Sequence, residues 1–235
     1  MSKVKFMGRM AATVSHDLCN VLATIQQATG LLGDYLSLAR RESFRTVGIR
    51  PKFKYHDKFQ EIIAQVQTQV DRGQDICEQL SFLAHSPDEG QAGTDLAHAA
   101  RLLFKLSGRV ARSHQVTLEL AETGETFKAA APLIEVLTAL DAALLGVVLE
   151  LGCERGVTSE GSSGCSFPNR RIIRFVPGGE GEETVHVDIL CQALDDRAAR
   201  LLADALAVGD KTGPFSAGVV QGGVRLAFVR AGRKS

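Results

Sequence analysis

The chain has 235 residues, enough for one or two domains with a substantial core. Apolar residues make up 45% and charged residues 23%, a globular composition and not a disordered one. Lys plus Arg and Asp plus Glu number 27 each, so net charge supplies no general attraction to nucleic acid or to an anionic membrane, and neither is expected as a partner.

The N-terminus carries two lysines but no apolar stretch followed by a small-residue cleavage site, so no signal peptide is read. Residues 5 to about 40 contain no proline, and Met7, Met10, Val14, Leu18, Val21, Ile25, Leu32 and Tyr35 recur at helical spacing, with one gap of seven. A second helix is predicted over about 56–85 through Phe59, Ile62, Val66, Val70, Ile76, Leu80 and Leu83. The intervening Arg41–Tyr55, with Gly48 and Pro51, reads as a connection. Its basic residues (Arg40, Arg41, Arg45, Arg50, Lys52, Lys54, Lys58) are expected in a solvated loop. Two such helices make an antiparallel hairpin with more apolar surface than one neighbour covers. Dimerisation into a four-helix bundle would close that core.

Ser86–Gly93 is a linker by composition. Beyond it the pattern predicts a helix at 95–112, a strand at 115–120, a helix at 132–151, a Gly/Ser-rich loop at 156–164, strands at 171–176 and 185–191, a helix at 195–207 and a last strand at 224–229. The fold class is therefore α+β. A helical hairpin (residues 1–86) is followed by an α/β sandwich (residues 94–235). The most apolar stretch, 131–151, is interrupted by Glu135, Asp141 and Glu150, which argues against a membrane span. Asp141 is expected at the surface of its helix.

Five scattered cysteines (Cys19, Cys77, Cys153, Cys165, Cys191) show no C-x-x-C spacing and read as reduced thiols of a cytoplasmic protein. His56, His85, His98, His114 and His186 lack metal-ligand spacing and are expected to be structural or solvated; no metal site is predicted. Gly178–Glu183, glycine-rich but acidic and between two strands, reads as a hairpin turn and not a phosphate loop.

His16 stands apart. With about 100° per residue, Val14, Leu18, Val21 and Ile25 all fall within about 40° of the side opposite His16. The imidazole then points outward, with Asn20 one turn later on the same face and Asp17 at its flank. A neutral imidazole nitrogen is a competent nucleophile toward phosphorus near neutral pH. A neighbouring carboxylate can hold the other ring proton, and an amide one turn on can orient water or a phosphoryl oxygen.

The segment Gly8–Ile25, with His16-Asp17-Leu18-Cys19-Asn20, resembles the H-box helix of bacterial sensor histidine kinases. In outline the likeness extends to the second helix, the linker and the α/β domain. It implies a dimerisation and histidine-phosphotransfer hairpin, followed by a sandwich resembling a histidine-kinase ATPase domain. His16 would be the phosphoacceptor, Asp17 its acid/base neighbour and Asn20 the residue positioning a phosphatase water. Where the family's nucleotide-binding helix has Asn residues, this chain has Ala139 and Ala143. Asn occurs only at 20 and 169, and no Asp-x-Gly-x-Gly loop follows Asp188. Gly213–Val220 lacks the pattern of the final glycine box. ATP is accordingly not expected as a cofactor, and none is predicted to be bound.

The expected function is that of a two-component phosphorelay protein, a histidine phosphotransferase shuttling phosphate between His16 and receiver-domain aspartates of response regulators, with Mg2+ supplied by the receiver. The position of His16 near the N-terminus fits a stand-alone protein without an upstream sensor. The alternatives are an ATP-dependent kinase with an atypical nucleotide site, a non-enzymatic pseudokinase adaptor that binds a response regulator, and a purely structural helical dimer.

Overall fold

The computed structural model describes residues 3–45, 55–85, 93–153, 171–209 and 214–232. Most of the linker, the middle of the basic connection and the Gly/Ser-rich segment 156–164 lie outside them. The chain divides into two compact units, Ala11–Leu83 and a second made of Ala84–Ser235 together with Met1–Met10.

The first unit is built from two helices, α1 (Lys3–Arg45) and α2 (His56–His85). α1 runs five residues beyond the expected 40, so Arg41–Arg45 are helical and not loop. Tyr35 and Tyr55 stack with ring centroids 5.5 Å apart, while Val21 lies 3.4 Å from where a Cβ on Gly73 would stand. Those two contacts fix an antiparallel pair. From Ala11 onward the buried residues of α1 are Val14, Val21 and Ala28, a strict seven-residue repeat facing α2. Ala28 fills the gap that the larger apolar residues left between Ile25 and Leu32.

The sandwich unit holds α3 (Leu96–Ser113), α4 (Leu133–Cys153) and α5 (Asp196–Gly209) on one face of a five-stranded sheet. Its strands are β2 (Val116–Leu120), β4 (Arg171–Glu180), β5 (Thr184–Leu190), β6 (Phe215–Val220) and β7 (Gly223–Val229), in the order β2-β4-β5-β7-β6. β2 runs parallel to β4 and the other pairs are antiparallel. A short pair, β1 (Thr94–Asp95) with β3 (Lys128–Ala129), stands apart. Asp95 caps α3, its carboxylate accepting from the Ala97 amide at 2.9 Å. β4 and β5 form the expected hairpin, but Gly178–Glu180, expected in its turn, pair with Thr184–His186 and extend β4; the turn begins only at Gly181, with φ of 68°.

β6 was not expected as a strand. Its sequence, Phe-Ser-Ala-Gly-Val-Val, carries two residues of low strand preference, and pairing with β7 supplies its order. At the β7 start, a Cβ on Gly223 would collide with the Ile189 carbonyl of β5, so the register there admits only glycine.

Alternate residues of the strands (Ile173, Phe175, Val185, Val187, Ile189, Val224, Leu226, Phe228) are fully or nearly fully buried under the helices. α4 sits centrally in this layer, packed by α3 and α5, with Val136, Leu137, Leu140, Ala143, Leu144 and Val147 all buried. Burial along most of its length explains why this helix is largely apolar, although Leu149 near its end is exposed. No described helix is long and apolar enough to cross a membrane. The opposite face of the sheet is polar. Arg225 grips Asp188 at 2.7 and 2.9 Å and reaches Glu180 at 3.2 Å, while Arg174 pairs with Glu119 at 2.9 Å.

On that polar face His186 lies over Gly178, with Nε2 3.9 Å from Asp188 and Nδ1 buried without a hydrogen-bond partner. Burial pushes its pKa below the ordinary histidine value; Asp188 and Glu180 oppose this shift and Arg225 adds to it. Because the unfolded chain then takes up the proton first, the sandwich should lose stability as pH falls below about 6.5. Thermal melts between about pH 7 and pH 5 are expected to show a shallower decline for His186→Gln than for wild type.

Candidate functional site

α1 positions the three residues singled out above. The repeat that turns Val14 and Val21 toward α2 leaves His16 on the far side of the helix, where its side chain is 49% exposed. Asn20, one turn later, donates from Nδ2 to His16 Nδ1 at 2.9 Å, and an Asp17 carboxylate oxygen stands 3.9 Å from the same nitrogen. The structure thus brings His16, Asp17 and Asn20 together as the spacing predicts. Asn20 contacts the ring itself and not only the space beyond it. Both neighbours address Nδ1, and among the described residues no hydrogen bond engages Nε2.

The tautomer follows from that contact. With the Asn20 amide donating, Nδ1 is the acceptor; a half-turn of the amide presents Oδ1 instead and lets Nδ1 carry the proton. In the second arrangement Nε2 has a free lone pair on the outward side, and Asp17 stabilises the positive charge that would develop on the ring. Cys19 is exposed on the same side of α1.

α4 is the helix on which nucleotide ligands would be sought. Ala139 and Ala143 are buried and bring no oxygen, and the Thr138 hydroxyl is spent on the Ile134 carbonyl at 2.6 Å. Asp141 is not at the surface as expected but only 1% exposed, and its carboxylate forms an ion pair with Arg9 of the α1 segment in the same unit. Apart from that pair, neither Asp141 oxygen has a hydrogen-bond partner among the described residues. Of these four positions on α4, only Asp141 carries a carboxylate, and it is engaged by Arg9. Among the described residues no group of three or more His, Cys, Asp or Glu could hold a metal ion.

The Arg9–Asp141 pair escaped sequence reasoning. An acidic residue on an apolar helix reads as surface unless a distant cation is known to reach it. Lys3 and Glu135 form a second link between the same helices at 2.5 Å, and Phe6 and Met10 are buried beside them in sequence. Burial pushes the Arg9 pKa down, since the guanidinium gives up part of its hydration.

Neither a protein-family model nor a curated protein sequence matches the chain. Similar solved structures include the histidine kinase AdeS of Acinetobacter baumannii, at 9% identity, covering 94% of this chain and 98% of that one, with a TM-score of 0.33. A histidine kinase of Burkholderia phymatum STM815 is 11% identical, covers 93% and 98%, and has a TM-score of 0.38. The histidine kinase ThkA, in complex with the response regulator TrrA, is 10% identical and covers 97% and 63%, with a TM-score of 0.34. At TM-scores this low, nothing about the activity of this chain follows from them.

Removing the Arg9 guanidinium strands a carboxylate that is almost wholly out of water. Arg9→Ala should destabilise the sandwich unit by up to about 3–5 kcal/mol, reduced because a quarter of the Arg9 side chain remains in solvent. Replacing both partners, as in Arg9→Met/Asp141→Leu, should restore most of that loss in denaturant titrations.

Proposed function

We propose that the chain is a histidine phosphotransferase of a two-component phosphorelay, with His16 taking a phosphoryl group from the aspartate of one receiver domain and passing it to another. The observation that carries this reading is an exposed imidazole whose Nδ1 is held by Asn20 and faced by Asp17 while Nε2 is left open. In the transfer, Nε2 attacks phosphorus and the N–P bond forms as the aspartyl O–P bond breaks. The receiver's aspartate leaves as a carboxylate, and the Nδ1 proton stays on the ring against Asp17 and the rotated Asn20 amide. The receiver supplies Mg2+, which neutralises the phosphoryl oxygens. The same Asn20 amide can instead orient a hydrolytic water.

The buried alanines on α4 and the occupation of Asp141 by Arg9 favour a phosphate that comes from another protein. The sandwich then resembles a histidine-kinase ATPase domain that has kept its shape as a docking surface, in a protein of the cytoplasm. The competing reading is an ATP-dependent histidine kinase, the class to which the similar solved structures belong. Magnesium-ATP binding, with label appearing on His16 in the absence of a receiver, would establish it. A pseudokinase adaptor predicts instead that His16→Ala leaves partner binding and signalling intact.

The reading also includes a homodimer. Beside the buried Val14-Val21-Ala28 row, α1 carries a second apolar row at Leu18, Leu22, Ile25, Leu32 and Leu36, again at steps of three, four or seven. Leu22 is 64% and Leu36 53% exposed and the other three are half-buried, so one hairpin leaves this row partly uncovered. A second copy would close it into a four-helix bundle.

Two measurements test these claims. Phosphorylated receiver domains mixed with the protein should place acid-labile phosphate on His16, seen by mass spectrometry, and His16→Ala should abolish it. Asp17→Asn and Asn20→Ala should slow the transfer by about 10- to 100-fold, the usual effect of losing a group that orients a reactive imidazole. Failure of every receiver from the same organism to phosphorylate the wild type would end the proposal. For the dimer, Leu22→Glu should give a monomer in sedimentation experiments, at a cost to the isolated hairpin within about 0.5 kcal/mol because the site is exposed.

A further inference from the structure

α3 carries Arg101, Lys105, Arg109 and Arg112 and no acidic residue. At about 100° per residue these four and His98 fall within a sector of about 80°, and no other position of the helix falls inside it. The sector lies opposite the buried Leu96, Leu103 and Ser107, and all four cations are exposed. Among the described residues none of their side chains makes an ion pair. A Cβ on Gly108 would stand 3.4 Å from the Arg112 guanidinium, which therefore lies back along the same face. The row is about 16 Å long, with about 6 Å between cations four residues apart.

The fold does not account for this row. Like charges three and four residues apart repel and weaken a helix, and only Arg112, in the last turn, gains from the helix dipole. The surroundings have the opposite sign. Residues 84–235 hold 16 Lys and Arg against 19 Asp and Glu, and setting aside the four cations of α3 leaves 12 against 19. An extended polyanion, such as nucleic acid or an anionic bilayer, would meet that excess of acid along with the row. A narrow anionic ridge would meet the row alone. Carboxylates on one face of an α-helix recur at the same interval of about 6 Å, and the arginine fork can hold a carboxylate by two hydrogen bonds.

We propose that the basic face of α3 is a docking surface for an acidic helical segment of a partner protein, seated along Arg101, Lys105, Arg109 and Arg112. The apolar side of α3 is fixed in the core, so the surface is preformed, and on this chain binding orders only the four side chains. Attraction across such a surface acts mainly on the rate of encounter and falls with salt. The surface belongs to the sandwich unit alone and does not depend on His16 carrying phosphate.

The test is fluorescence anisotropy on the full chain at low salt. The probe is a labelled helical peptide whose glutamates are spaced four, four and three residues apart, beside a peptide of the same composition with its glutamates scattered around the helix. The first should bind, and the second should bind at least about fivefold more weakly. Arg101→Glu/Arg109→Glu should weaken binding of the first at least about tenfold, while Arg197→Glu/Arg200→Glu on α5 should leave it within about twofold. The α3 variant turns like-charged neighbours into opposite ones, so its thermal melt should be no lower than that of wild type. Should it melt lower, Lys105→Glu, which sets one acid between two arginines, takes its place with a weakening of at least about threefold. Equal binding of the two peptides, or equal loss in the α3 and α5 variants, would overturn the docking surface. So would tighter binding of a DNA duplex or of anionic lipid vesicles than of the peptide, or no binding of the peptide at low salt.

Discussion

The side of α1 that packs on α2 decides the geometry of everything at the candidate site. Val14, Val21 and Ala28 recur every seventh residue and are buried, and this row fixes the rotation of the helix about its own axis. Once it is fixed, His16 has only one direction in which to point. Asn20, four residues on, lies over the same turn and within hydrogen-bonding distance of the ring, and Asp17 stands at the ring's edge. The polar constellation is thus a consequence of an apolar one. Gly73 of α2 faces Val21 at that level, with room for a Cβ at van der Waals distance.

A second constraint governs the sandwich. α4 is buried along most of its length, and at a buried position such a helix can hold a charge only if the charge is neutralised. Asp141 meets the condition by pairing with a residue from the beginning of the chain. That pairing, with Lys3–Glu135 and the burial of Phe6 and Met10, draws the first turns of α1 into a unit otherwise formed from the other end of the sequence. α1 therefore serves two cores. The polar face of the sheet follows the same rule in milder form, since Arg225 answers Asp188 and Glu180 while His186, whose Nδ1 has no partner among the described residues, has its pKa pushed down by burial.

Much of this was legible in the residues because it depends on local periodicity. α2 begins and ends where its apolar spacing does, and α3, α4, α5 and the strands β5 and β7 lie close to their expected bounds, while β4 runs four residues beyond its expected end because pairing with β5 continues through its glycines. Alternation in Val185–Ile189 identified a half-buried strand because successive side chains point to opposite faces. The juxtaposition of His16, Asp17 and Asn20 needed only the helical repeat. By contrast, β6 has no strong pattern of its own, and the pairs β1–β3 are too short to show one. Ala28 was passed over because a small side chain carries little hydropathy, although it packs at the same level of the repeat as its larger neighbours.

The sequence by itself determined the helical hairpin, the mixed helix-and-strand character of the second part and the outward direction of His16, because each rests on spacing between residues a few positions apart. Only the tertiary structure decided that Asp141 is buried, that Arg9 neutralises it, and that the first ten residues join the sandwich unit. The reason is physical. Whether a carboxylate on a helix meets water or a guanidinium depends on which distant segment arrives there, and no local pattern around Asp141 contains that information.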